Sequence, residues 1–80
     1  MTITTFNVLA PCYKRFYQPD GTVVMESQDM ATALDRQTRV LDFLANTSSD
    51  VLCLQEFWHA NDATRLLYET RLRDAGYALH

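Results

Sequence analysis

Eighty residues suffice for one small domain at most, and a chain of that size buries only about 60% of the surface its unfolded form exposes. A composition of 48% hydrophobic and 21% charged residues excludes a disordered segment. Seven basic side chains against ten acidic ones, for a net charge of −3, exclude the broad cationic surface of a non-specific nucleic-acid binder.

The apolar runs are too short for a membrane-spanning helix, and no basic stretch followed by an apolar leader precedes the first strand. A soluble, intracellular and cytoplasmic chain with no membrane partner is the expectation. Cys12 and Cys53 have neither Cys-x-x-Cys nor zinc-ligand spacing and read as reduced thiols. The sequence carries no signal for an oligomeric state.

Residues 2–9 are dense in β-branched and aromatic side chains and stop at Ala10-Pro11, so they read as a strand. Asn7 stands out within it, because a strand amide needs its hydrogen bonds met by a structural network or by a ligand. Residues 10–26 read as a loop, with Pro19-Asp20-Gly21 as its turn. Tyr13, Phe16 and Tyr17 alternate there with Lys14 and Arg15. That pattern suits either base stacking or, as the preferred reading, an aromatic cluster anchoring the loop to the core.

Ser27 is placed to cap a helix whose first turn carries Asp29. Met30, Leu34, Gln37, Leu41 and Leu44 form its buried stripe, and Asn46 ends it. Arg36 and Arg39 lie off the stripe centre, where solvated or ion-paired roles are expected. Residues 51–54 form an apolar run suited to a strand buried on both faces, with Leu52, Leu54 and Glu56 on one face and Val51, Cys53 and Gln55 on the other. Asn61 caps a second helix running to about Ala75, with Gly76 as its left-handed terminator. Tyr77-Ala78-Leu79-His80 reads as the start of a third strand. The class is therefore α/β, with the first two strands parallel and joined by a helical crossover.

In such sheets ligands gather at the carboxyl ends of the strands, which is where Glu56 and Asn7 fall. A hard cation such as Mg²⁺ takes oxygen ligands and is often held by only one or two carboxylates. Glu56 suits the first ligand, and Asn7 can donate to a phosphate oxygen or orient a bound water. Glu56-Phe57-Trp58-His59 has the Glu-x-x-His spacing of di-metal bundles but lacks the partner helices. The only two glycines, Gly21 and Gly76, exclude a glycine-rich phosphate loop.

Thr5-Phe6-Asn7-Val8-Leu9-Ala10-Pro11, followed by Asp50-Val51-Leu52-Cys53-Leu54-Gln55-Glu56-Phe57-Trp58, resembles the start of the endonuclease/exonuclease/phosphatase superfamily. The likeness is strongest to the branch of carbon catabolite repressor-type poly(A)-shortening deadenylases and their plant and algal relatives. Tyr13-Lys14-Arg15, Glu26-Ser27, Arg36 and Asp74-Ala75-Gly76-Tyr77 agree with it, while Ala33 stands where an aromatic residue often precedes the arginine.

The resemblance implies that residues 1–80 are the N-terminal part of a single domain, the β-α-β-α opening of a four-layer α/β sandwich. It implies that Glu56 binds a catalytic Mg²⁺ and that Asn7 positions the metal or the scissile phosphate, with RNA as poly(A) the substrate of the complete domain. The expected function is a fragment of a Mg²⁺-dependent phosphodiesterase, an RNA 3′-exonuclease. The alternative is a non-catalytic truncated paralogue or binding module on the same fold. The family's later Asp-x-Asn and Ser-Asp-His groups are not in this sequence, so the 80-residue chain is expected to be inactive by itself.

Overall fold

The computed structural model describes residues 1–79. Strand β1 (Ile3–Asn7) opens the chain. The segment that follows is not the open loop expected from residues 10–26, because it contains a short antiparallel hairpin of β2 (Arg15–Tyr17) and β3 (Val23–Met25). Its turn is the Pro-Asp-Gly group. Gly21 takes a φ of 89°, a conformation that costs a glycine nothing. The Asp20 carboxylate accepts from the Thr22 amide and hydroxyl, bonds that hold it below the usual carboxylate range. Tyr13 and Tyr17 are 62% and 75% exposed, so they do not anchor the segment to the core.

Residues Glu26–Gln28 form one 3-10 turn, and helix α1 spans Met30–Ala45. Its cap is Asp29, not Ser27. The Asp29 side chain accepts from the Thr32 hydroxyl and amide, and these two bonds lower its pKa. Ser27 instead lends its amide to the Pro11 carbonyl. The expected stripe faces inward, with Gln37, Leu41 and Leu44 buried and each leucine contributing roughly 1.5–3 kcal/mol by leaving water. Ala33 is fully buried, and an aromatic side chain there would have no room.

Strand β4 (Val51–Gln55) pairs in parallel with β1, in the register Ile3↔Val51 through Asn7↔Gln55. Phe6, Leu52 and Leu54 pack against the core, whereas Ile3, Thr5, Val51 and Cys53 on the opposite face are exposed. The expectation that residues 51–54 are buried on both faces is thus corrected. Among the described residues, helices cover one face of the two-stranded sheet.

Helix α2 (Asp62–Asp74) is capped by Asn61, which accepts from the Thr64 amide, and it ends at Gly76 with a φ of 97°. Tyr77 to Leu79 form no strand among the described residues. The Tyr77 hydroxyl instead donates to the Ser49 carbonyl, 2.6 Å away. His80, the last residue of the expected third strand, lies outside the described residues.

The core is built from Val8, Leu41, Leu44, Tyr68 and Leu72. Tyr68 is 2% exposed, and its hydroxyl donates to Gln37 Oε1. Burial pushes its phenol well above the ordinary value, with the Arg36 charge opposing. A folded-state pKa above the unfolded one means that this contribution is complete below the unfolded value near pH 10 and is lost as pH climbs beyond it. Thermal melts should therefore show a decline above about pH 10, and Tyr68→Phe should flatten it. At neutral pH the same substitution should cost about 1–2 kcal/mol, because Gln37 Oε1 loses its donor. An alkaline slope identical in both proteins would contradict this account.

Candidate functional site

The parallel register sets the carboxyl ends of β1 and β4 side by side, with Asn7 opposite Gln55. Val8 extends the ladder by one bond, its amide donating to the Gln55 carbonyl at 3.0 Å. Both strands then break sharply. Leu9 and Glu56 adopt φ values of 49° and 58°, a left-handed conformation that costs an ordinary residue roughly 1–2 kcal/mol. Such outliers persist only where surrounding contacts hold them.

The left-handed turn changes where Glu56 points. Strict alternation puts it with Leu52 and Leu54 on the helix-covered face. Instead it meets Asn7, which shares the open face with Thr5 and Ile3: Asn7 Nδ2 donates to Glu56 Oε2. The other end of the Asn7 amide accepts from the Leu9 amide at 2.8 Å. Asn7 is thus both a structural element that closes a turn and the side chain that orients the carboxylate. Both residues are exposed.

Behind this pair lies a polar network in which Arg36 takes the ion-paired role expected of it, with a partner, Glu26, that sequence reasoning missed. Glu26 is fully buried, and its carboxylate accepts from Arg36 Nε at 2.8 Å and Arg36 Nη2 at 2.7 Å. The same guanidinium donates to the carbonyls of Val8 (3.1 Å) and Leu9, and Gln37 Nε2 adds a bond to Val8 O at 3.3 Å. The available signal was Arg36 itself, a cation on the flank of a buried stripe, with its partner ten residues earlier in the chain. The His59 ring lies 6.5 Å from that of Phe57.

A groove of about 810 Å³ runs along β4 and α2, its lining mixing Leu52, Leu54 and Leu72 with the charged Asp50, Arg65 and Glu69. Neither Asn7 nor Glu56 borders it. Among the described residues no group of three or more His, Cys, Asp or Glu side chains is gathered as for a metal ion. Any cation at Glu56 must therefore take its remaining oxygens from carbonyls, amides, water or a further segment.

Glu56→Ala and Glu56→Gly both delete the carboxylate, but only the second relieves the backbone. The glycine variant should be more stable than the alanine variant by about 1 kcal/mol, measured by denaturant melts. Equal stability would mean that the left-handed turn carries no strain.

No family model matches the chain, and no solved structure matches it. It is similar to an uncharacterized calcium-binding protein of Arabidopsis thaliana, 39% identical over 80 residues, a match that takes in all of this chain and 16% of that protein. The chain spans less than one fifth of the length of the curated relative it matches. This overturns the reading by resemblance. The relative is named for calcium binding, so membership of the endonuclease/exonuclease/phosphatase superfamily, the deadenylase-like exonuclease function, the nuclease and hydrolase assignment and the Mg²⁺ cofactor are not sustained. The physical reason is that one carboxylate at a strand end, beside an amide, is compatible with any cation that takes oxygen ligands and selects neither the cation nor any chemistry upon it.

Proposed function

We propose that this chain contributes to a calcium-binding site, with Glu56 as the ligand and Asn7 as the residue that holds it. The observation that carries the reading is the Asn7–Glu56 pair, two exposed polar side chains locked together where both parallel strands end in left-handed turns. Asn7 engages Oε2 and leaves Oε1 to face a cation, as outer hydrogen bonds do for metal-bound carboxylates. Ca²⁺ tolerates irregular geometry and accepts amide and backbone carbonyl oxygens beside carboxylates. That tolerance fits a site with a single acid.

The relative's name supports the choice of Ca²⁺, while the location rests on geometry alone, since the match leaves most of that protein uncovered. The sequence contains no Asp-x-Asp/Asn-x-Asp/Asn-Gly loop of the helix-loop-helix kind, so calcium here would be bound at a sheet end. With one carboxylate the affinity should be weak, on the order of 10⁻⁴ to 10⁻³ M.

The finer architecture belongs to the same proposal. Parallel strands are usually covered on both faces, and Ile3 and Val51 are 56% and 38% exposed on the open one. We infer that this unit is part of a larger layered α/β domain, a four-layer sandwich in which a second sheet covers that face.

Terbium luminescence tests the site, because Trp58 lies two residues from Glu56 and can sensitise a bound lanthanide. Terbium should bind and be displaced by Ca²⁺, and Glu56→Gln should abolish the signal while the far-ultraviolet dichroism stays unchanged. Undiminished binding by Glu56→Gln would remove the assignment.

A further inference from the structure

The left-handed turn after β1 needs an explanation, because Leu9 has no glycine's freedom. Its neighbours Val8 and Ala10 are buried, and both carbonyls bounding Leu9 are held by one guanidinium. Val8 O and the Leu9 N–H belong to one planar trans peptide unit and point in opposite directions. Holding Val8 O at Arg36 Nη1, 3.1 Å away, therefore aims the Leu9 N–H away from the helix. It meets Asn7 Oδ1 at 2.8 Å. With its oxygen engaged on that side, the Asn7 amide is oriented so that Nδ2 faces the acceptor carboxylate of Glu56.

We propose that Arg36, braced by Glu26, is the positioning residue of the Asn7–Glu56 pair and acts through the backbone of residues 8 and 9. Its functional consequence rests on the reading of that pair as a calcium site, whereas the geometric coupling does not. The guanidinium fork is essential. Nε and Nη2 engage both oxygens of Glu26, which fixes the plane so that Nη1 and Nη2 also meet the carbonyls of Val8 and Leu9. A lysine preserves the charge opposite Glu26 but has no rigid second arm. Gln37 Nε2, at 3.3 Å from Val8 O, holds the strand end in place but makes no bond to Leu9.

The test compares Arg36→Lys with the surface control Arg39→Lys in the 80-residue chain. The first readout is the side-chain amide resonances of Asn7 in isotope-labelled, metal-free protein. Arg36→Lys should shift them towards their positions in Glu56→Gln, while Arg39→Lys leaves them in place. The second is terbium affinity, which Arg36→Lys should lower about tenfold, as loss of an outer-shell partner does. Asn7 resonances unmoved in folded Arg36→Lys would overturn the proposal. The unaltered chain offers a check that needs no variant: the Leu9 amide should be protected from hydrogen exchange, and exchange at an open-loop rate would also overturn it. Failure of the wild-type chain to bind terbium would sink the calcium reading alone, because the resonance and exchange measurements are made without metal.

Discussion

A half-buried guanidinium between two elements governs this molecule. Arg36 projects from α1 to meet Glu26, whose side chain is 0% exposed, while its own side chain is only 19% exposed. Two charges out of water are costly, and the attraction between them repays that cost only if the remaining donors and acceptors are satisfied. Here they are, because the guanidinium also serves the carbonyls of Val8 and Leu9. The ion pair thereby ties together the end of β1, the 3-10 turn and the second turn of α1. The polar network continues through Gln37 to Tyr68, so α2 is linked to the same point through the one buried phenol.

Much of the frame was legible in the chain. The strands β1 and β4, the stripe of α1 and the Asn61 cap follow from periodicity and capping chemistry, which are local properties, and the parallel pairing follows from the strand–helix–strand order. The hairpin was overlooked although its sign was present, since Pro19-Asp20-Gly21 lies between Arg15-Phe16-Tyr17 and Val23-Val24-Met25. Three-residue strands are too short for alternation to register. Glu26 was unreadable for another reason: a carboxylate enters an interior only with a partner, and that partner is ten residues away.

The candidate site was half legible. Asn7 and Glu56 were identifiable from their positions at strand ends, and the structure brings them into contact. Their relation was not, because alternation assigns Glu56 to the wrong face and only its positive φ returns it to Asn7. The choice of cation was beyond short motifs. Leu-Gln-Glu after an apolar run describes where a carboxylate emerges, and hard cations share a preference for oxygen. The likeness to a calcium-binding protein, not the motif, moved the reading from Mg²⁺ to Ca²⁺.

The pairing of β1 with β4 also dictates an order of events. Each paired position, Ile3 with Val51 for instance, joins residues 48 apart in an 80-residue chain. Closing so long a loop is entropically expensive before any contact rewards it. Helix α1 and the hairpin, whose contacts are local, can form first, and β1 waits for β4 to arrive. Asn7 and Glu56 sit at the far end of that ladder. Their meeting is then among the last steps of folding, and the cation proposed for the joined pair would act upon the final zipping of the two strands.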